Sequence, residues 1–172
     1  KLYVAELLGH RVSEVDMASR SNRFEILLSA PAPSAVPSGA KQADDADTAA
    51  ITKRAEALLD HTQAEDAFPY ACVLDEKRDR LYVSLWAQAA VAVIDLKSKR
   101  VVARWAAEEH PNDMLLSQSG KHLFVANANR NTVTVFETET GRAVETLIAA
   151  LYPNSLPGSK PKSLALSPDE KL

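Results

Sequence analysis

The stretch Leu123-Phe124-Val125-Ala126-Asn127, followed by Thr132-Val133-Thr134-Val135, decides the fold because its pattern occurs three times in the chain. Leu2 and Leu81 are the counterparts of Leu123, and each is followed by an aromatic residue and a valine. In every copy a second valine lies ten positions after the leucine, and an acidic residue lies fourteen positions after it. The last two copies are 42 residues apart and the first two are 79 apart, which indicates one repeat period plus an insertion.

A proline followed by an apolar run precedes the later copies and marks the first strand of a unit. These prolines are Pro69, Pro111 and Pro161, spaced by 42 and 50 residues. Each unit then contains four short segments, A to D, in which apolar and polar residues alternate between turn residues, as is typical of β-strands. Gly141 in the turn between segments C and D can take the positive φ of a bulged hairpin.

Four strands in about 42 residues is the period of a β-propeller blade. We therefore predict an all-β fold of about three blades of four antiparallel strands, forming an incomplete ring with one helical insertion. The predicted division of the chain is strands B–D of blade 1 at 1–30, an insertion at 31–67, blade 2 at 68–109, blade 3 at 110–152, and an insertion loop with strand A of the next blade at 153–172.

The insertion at 31–67 has two parts. Its first ten residues are rich in proline, alanine and serine, which predicts an extended segment. The apolar spacing of Ile51, Ala55, Leu58 and Leu59 then predicts a helix at about 48–61. This helix would cover the propeller or a neighbouring domain, or dock a partner.

Composition excludes several classes of protein. The 172 residues carry 20 Lys and Arg against 23 Asp and Glu, and no basic stripe interleaved with aromatic residues indicates nucleic-acid binding. No stretch approaches the ~18 apolar residues of a membrane span. Cys72 is the single cysteine, so an intrachain disulfide is impossible and the redox compartment stays open.

The repeat resembles the YVTN family of β-propeller repeats. The best match is Phe124–Asn127 continuing into Thr132–Val135, and Ser167–Lys171 and Val83–Trp86 with Ala90–Asp95 also match the family pattern. The resemblance covers residues 68–172 well and 1–28 loosely. The chain departs from the pattern at Asp75–Arg78, where the family has Ser-Pro-Asp-Gly, and at Glu6–Leu8, where the family has an Asn-rich loop. The WD40 family, with a similar period, would show Trp-Asp at the end of strand C, where this chain has Val15-Asp16, Ile94-Asp95 and Phe136-Glu137.

Within this family the chain is most similar to YncE-like propellers that precede an alkaline-phosphatase-type hydrolase domain. That resemblance implies a bacterial, periplasmic or secreted protein and a binding scaffold whose partner is unknown, with an adjoining domain of the same parent chain as one option. The same signature is similar to lactonase-type propellers and to the haem d1 propeller of nitrite reductases.

Strand direction alternates within a blade, so the D–A and B–C loops emerge together on one face. Both long insertions fall in D–A loops, and insertions on one face of a repeat protein often mark its binding face. Trp86 there either contributes to a ligand surface or packs between blades, and His110 is a loop residue, a ligand contact or, in a haem propeller, an axial ligand. The candidate binding residues on this face are Trp86, His110, Asn112, Asp113, Asn127, Asn129 and Lys162.

The residues predict no catalytic centre, metal site or cofactor in this chain. No Gly-rich phosphate loop, Gly-x-Ser-x-Gly, His-Glu-x-x-His or Cys-x-x-Cys motif occurs, and no His pairs with another His or Cys at metal-ligand spacing. We expect a non-catalytic binding or scaffold module, with an enzyme propeller and a pure assembly module as alternatives. Since three blades do not close a ring, we also expect the isolated chain to be a fragment that forms an open arc of marginal stability.

Overall fold

The computed structural model describes residues 1–29, 66–150, 152 and 160–170. Within these residues eleven strands form three antiparallel sheets, and no helix occurs among them. The predicted all-β fold of propeller blades in an incomplete ring is therefore confirmed. The helix predicted at 48–61 and nearly all of the insertion at 31–67 lie outside the described residues.

Each sheet is one repeat unit, with its strands paired in chain order. The first sheet has three strands and the other two have four. The strands are β1 (Leu2–Glu6), β2 (Arg11–Asp16) and β3 (Ser21–Leu27) in blade 1; β4 (Pro69–Asp75), β5 (Arg80–Leu85), β6 (Ala90–Asp95) and β7 (Arg100–Ala106) in blade 2; β8 (Pro111–Leu116), β9 (His122–Asn127), β10 (Thr132–Glu137) and β11 (Ala143–Ile148) in blade 3.

Blades 2 and 3 pair their strands in the same register. Leu74 of β4 faces Leu81 of β5, and one period later Leu116 of β8 faces Leu123 of β9. The first strand of each blade also carries an irregularity just after its proline. In blade 2 the Ser84 hydroxyl occupies this gap, where it accepts the Ala71 N–H at 2.9 Å and donates to the Asn112 carbonyl of blade 3 at 2.8 Å.

The turns repeat as closely as the strands. In three of the four turn types the same position has a positive φ in every described copy, in residues as different as Ala89 (φ 47°) and Asn131 (φ 56°). Because the conformation recurs wherever the turn recurs, the backbone path of the blade requires it. A left-handed conformation costs a residue with a Cβ roughly 1–2 kcal/mol. Three turn types share it: His10, Ala89 and Asn131 between strands B and C; Arg20, Lys99 and Gly141 between C and D; Phe68, His110 and Lys160 before strand A.

Ala89→Gly is therefore expected to stabilise the protein by up to about 1 kcal/mol, because relief of the ~1–2 kcal/mol left-handed strain exceeds the ~0.5–1 kcal/mol entropy cost of glycine. The thermal midpoint of the purified variant measures the effect. Ala87→Gly in the same turn is the matched control, since Ala87 does not have a positive φ, and it should leave the midpoint unchanged or lower it. Equal effects of the two substitutions would contradict the turn geometry.

The acidic residue that ends strand C caps the turn that follows it. The Asp16 carboxylate accepts the N–H groups of Ala18 and Ser19 at 2.8 and 3.1 Å, and Asp95 accepts the Ser98 N–H at 2.6 Å. These backbone hydrogen bonds lower the pKa of both carboxyl groups. Both aspartates therefore cap the turn between strands C and D of their blade.

A lowered pKa in the folded state makes stability depend on pH in the acid range. The stabilisation is complete above the unfolded pKa of about 3.9 and is lost as the pH falls through the folded value. We expect the thermal midpoint to fall between about pH 5 and pH 2, and to fall less steeply in Asp95→Asn. Thermal melts at several pH values test this, and an Asp95→Asn profile parallel to that of the unsubstituted chain would contradict it.

The blades stack face to face through buried apolar side chains. Between blades 2 and 3, the Trp105 ring lies 5.3 Å from Tyr82 and 5.5 Å from Phe136, measured between ring centroids. The side chains of this cluster are Tyr82, Val91, Val93 and Trp105 from blade 2, and Met114, Leu123, Val125 and Phe136 from blade 3. A repeat protein is stabilised by such nearest-neighbour interfaces.

Candidate functional site

The B–C and D–A loops lie together on one face of the blades, which we call the top face. The Trp86 N–H donates to the Phe68 carbonyl at 3.0 Å, and the Ala128 N–H donates to the His110 carbonyl at the same distance. Each bond joins the loop after strand B to the residue that precedes the proline of strand A. Backbone hydrogen bonds thus join the B–C loop of a blade to the residue that precedes its strand A, on top of the β-sheets.

Four half-buried rings form a continuous row across this face. The row, which we call the aromatic row, consists of His10, Phe68, Trp86 and His110. His10 contacts Phe68 edge to face at 4.8 Å, Phe68 lies 6.5 Å from Trp86, and Trp86 stacks on His110 at 3.7 Å with an interplanar angle of 5°. The row therefore runs from blade 1 over blade 2 to the start of blade 3.

His10 is held from two sides at the blade 1 end of the row. Its Nδ1 accepts the Phe68 N–H at 3.4 Å, and its Nε2 lies 3.4 Å from Oδ1 of Asp66. Because Nδ1 accepts, hydrogen bonding assigns the ring proton to Nε2 in the neutral tautomer. His10 thus joins the B–C loop of blade 1 to the start of blade 2.

A charged cluster lies next to His110. Glu109 forms a salt bridge with Arg130 at 2.6 Å and accepts the Asn129 side-chain amide at 3.2 Å. The neighbouring Glu108 carboxylate accepts the Thr132 hydroxyl. The top face therefore combines ring surfaces with ionised groups, a composition suited to binding a partner with both apolar and polar contacts.

The sequence grouped seven candidate residues, and the structure brings only some of them together. Trp86 and His110 are stacked, and Asn129 lies in the charged cluster beside them. Trp86 packs on His110 across the blade 2–blade 3 boundary, which is one of the two roles predicted for it, and it remains partly exposed. Its contribution to a ligand surface stays a prediction.

Asn112 and Asp113 are occupied by the segment that follows blade 3. The Asn112 amide donates to the Pro161 carbonyl at 3.0 Å, and the Asp113 carboxylate accepts the Leu164 N–H at 2.7 Å. Lys162 is exposed on that same segment. These contacts position the segment 160–170 beside β8, so in this structure the two side chains hold a neighbouring segment of the chain.

Asn127 is fully buried at the end of β9. Its amide donates to the Thr132 and Thr134 hydroxyls at 3.1 and 2.8 Å. Its Oδ1 has no hydrogen-bond partner among the described residues. Asn127 therefore points into the blade and bonds to side chains of strand C, so it does not present its amide on the top face.

The sequence analysis missed His10 and Phe68 as members of the aromatic row. Phe68 precedes Pro69 as His110 precedes Pro111, one repeat of 42 residues later. The repeat alignment therefore carried the signal for Phe68. His10 aligns with Ala89 and Asn131, so no aromatic residue at the same repeat position pointed to it.

Within residues 1–29, 66–150, 152 and 160–170, no group of three or more His, Cys, Asp or Glu side chains could hold a metal ion. No helix within the same residues is long and apolar enough to cross a membrane. Cys72 is half-buried, and burial raises the pKa of its thiol.

Comparison with known proteins bears on the fold. No family model matches the chain, and no curated protein sequence matches it. Solved structures do match, and their folds are β-propellers.

Three of these structures show the range of the likeness. A 6-phosphogluconolactonase-like protein of Bacteroides uniformis has 14% identity and a TM-score of 0.56, covering 87% of this chain and 37% of its own. Hydrazine synthase of Kuenenia stuttgartiensis has 20% identity and a TM-score of 0.54, and the match covers 64% of this chain and 29% of the synthase chain. Dihydro-heme d1 dehydrogenase NirN has 9% identity and a TM-score of 0.55, and the match covers 84% of this chain and 24% of the NirN chain. The chain thus spans about a quarter to a third of these proteins, which share its fold.

Proposed function

We propose that this chain is a non-catalytic binding part of a YVTN-type, YncE-like β-propeller, and that its top face binds a protein partner. The observation that carries the proposal is the aromatic row, which exposes part of four rings on one face. The motif resemblance supports the family, and the propeller fold agrees with it. The division of the chain into blades and insertions given above belongs to the same proposal.

The chemistry of the top face favours a partner with aromatic and cationic side chains. Aromatic rings prefer edge-to-face or offset stacking with other rings, worth about 0.5–1.5 kcal/mol beyond their buried area. Carboxylates of Glu108 and Glu109 lie at the end of the row, where a guanidinium group can form charge-assisted hydrogen bonds. Tyr, Trp and Arg are the residues that most often dominate protein interfaces.

The partner class that the resemblance favours is a hydrolase domain of the alkaline-phosphatase type in the same parent chain, in the periplasm or outside the cell. The long D–A insertion at 31–67 emerges between Ser29 and Asp66, next to His10 and Phe68. A domain docked on the aromatic row would therefore lie beside Asp66, where the chain re-enters blade 2. The reaction that such a domain catalyses would lie outside this chain.

The top face can be tested with a minimal probe that carries both side-chain types. We expect the dipeptide N-acetyl-Trp-Arg-amide, added to ¹⁵N-labelled protein, to shift the indole N–H resonance of Trp86 saturably. Trp105 is the only other tryptophan and is buried between blades, so its resonance should stay in place. Backbone resonances of His110, which stacks on Trp86, should shift with the probe in the unsubstituted chain and stay in place in Trp86→Ala.

Two controls make this measurement specific. N-acetyl-Ala-Ser-amide should leave the Trp86 resonance unchanged, and Lys121→Ala, an exposed residue in the A–B turn on the opposite face, should bind the Trp-Arg probe normally. If the probe perturbs the A–B and C–D turns instead, or the two dipeptides act alike, the top face is not the binding face.

A further inference from the structure

An open groove lies between β3 of blade 1 and β7 of blade 2, at a junction where the two blades pack on each other. It measures about 490 Å³. Three cationic side chains line it, Lys99, Arg100 and Arg104, and we call it the basic groove. The apolar residues Ile26 and Val101 line it as well. The basic groove thus concentrates positive charge in a chain whose net charge is −3.

Two of these cations are held across the groove by residues of blade 1. The Arg104 guanidinium donates to the Leu28 carbonyl at 2.7 Å and to Oε1 of Gln88 at 2.7 Å. The Lys99 ammonium lies 4.4 Å from the centroid of the Phe24 ring. Phe24 and Leu28 are four positions apart on extended chain, so the two charges are fixed about 13 Å apart. Side chains that are already fixed lose less conformational freedom when they bind a ligand.

The positive charge of the groove is not neutralised locally. Within the described part of the chain, none of the three cations forms an ion pair, and the hydrogen bonds of Arg104 go to neutral oxygens. Burial lowers the pKa of the Arg104 guanidinium, as expected for a cation that is partly removed from water with no anion beside it. Glu25 also lines the groove, but its carboxylate accepts hydrogen bonds from Arg11 and Asn22, both at 2.8 Å.

The blade fold does not require these cations. In blade 3 the repeat equivalent of Lys99 is Gly141, and both residues have a positive φ in the C–D turn. The equivalent of Arg104 is Thr146, which occupies the same register position in its sheet. Because the same turn and the same strand pairing form without them, the two charges at the blade 1–blade 2 junction point to a role in binding.

We propose that the basic groove binds an extended acidic segment of a partner protein with the pattern acidic–x–apolar–x–acidic. Carboxylates four positions apart on an extended segment are separated by about 13 Å, as the two fixed cations are, and both lie on the same side as the apolar residue between them. That apolar residue would contact Ile26 and Val101, which lie between the anchored cations in the sequences of β3 and β7. Arg100 adds a third positive charge beside the segment.

The first test compares two peptides of identical composition. Dye-labelled Glu-Ser-Leu-Ser-Glu, with blocked termini, should bind saturably in a fluorescence anisotropy titration and bind more weakly as salt is added. Glu-Glu-Leu-Ser-Ser should bind about two- to fivefold more weakly, because its adjacent carboxylates cannot reach both fixed cations. N-acetyl-Trp-Arg-amide should not displace the labelled peptide, since the basic groove shares no residue with the aromatic row. The proposal therefore stands or falls independently of binding at the top face.

The second test introduces the blade 3 residues into blade 2. Lys99→Gly and Arg104→Thr should each weaken binding of the first peptide about two- to fivefold. The double variant should show about the product of the two effects, because the charges lie more than about 7–10 Å apart. Arg142→Gln is the matched control, since it removes one positive charge from an exposed position of blade 3 and should leave the affinity unchanged. Circular dichroism should show the same strand content in every variant.

Chemical shifts locate the bound peptide. In ¹⁵N-labelled protein the amide resonances of Leu28 and Val101 should move on addition of the first peptide, and that of Thr146 should not. Equal binding of the two peptides, or equal weakening by Lys99→Gly and Arg142→Gln, would mean that the attraction is only the general field of a charged surface and would overturn the proposal. So would an absence of binding in a chain whose two groove variants lose only thermal stability, since the cations would then only join blades 1 and 2.

Discussion

Trp105→Ala is expected to lower the free energy of unfolding by about 3–5 kcal/mol, the range for removing a large buried aromatic side chain. Trp105 is 9% exposed and its ring packs between Tyr82 of its own blade and Phe136 of the next one. The substitution would leave a cavity where two blades meet. Because stability in a repeat array depends on such interfaces, blades 2 and 3 should lose their cooperative unfolding.

Trp86→Ala is the matched control for this prediction, since Trp86 is the other tryptophan of the chain. It is half-buried at the top face, where it stacks on His110 and meets Phe68 edge to face, so its loss should cost clearly less than that of the buried Trp105. Denaturant unfolding followed by circular dichroism measures both. If Trp105→Ala is no more destabilising than Trp86→Ala, Trp105 does not join the blades.

Gly141→Ala is expected to destabilise the protein by about 2–4 kcal/mol through two effects. Gly141 has φ 73°, where a Cβ is strained. A Cβ there would also lie 2.6 and 2.7 Å from Cε2 and Cδ1 of Trp105, and closer still to its Nε1. Crowding of a packed core by an added carbon costs about 1–3 kcal/mol by itself. The C–D turn of blade 3 therefore contacts the buried Trp105 ring of blade 2 directly.

Gly9→Ala provides the control for this substitution. Gly9 has no positive φ, and its nearest neighbours are atoms of the Glu6 side chain, which can move. Its replacement should change the unfolding midpoint little. In addition, Trp105→Ala with Gly141→Ala should be less destabilising than the two single effects added together, because the crowding disappears with the ring. Additive effects would contradict the contact.

Strand order and turns could be predicted from the sequence because the repeat imposes them. The 42-residue spacing located strand A before Leu81 and Leu123, and Gly141 marked a turn with a positive φ and a bulge at Val135–Phe136 in the paired strands. Because each blade packs on the next one, equivalent residues make the contacts between blades in each repeat. Such local and periodic features need no knowledge of distant contacts.

The composition of the top face was harder to predict. Asn112, Asp113 and Asn127 were grouped with Trp86 and His110 because they share loops or strand ends, but their side chains bond to the segment 160–170 or into the blade. Side-chain direction at a strand end depends on the local irregularity after each proline, which the repeat pattern did not reveal. The aromatic row likewise joins residues 58 positions apart, such as His10 and Phe68.

The repeat units are successive blades that stack face to face. Nuclear Overhauser effects from the Trp105 indole N–H measure this most directly, because Trp105 belongs to blade 2 and its neighbours Gly141 and Phe136 belong to blade 3. We predict strong effects to the Gly141 α protons and to the Phe136 ring. If the Trp105 indole shows effects only to residues of its own sheet, the blades do not stack as described.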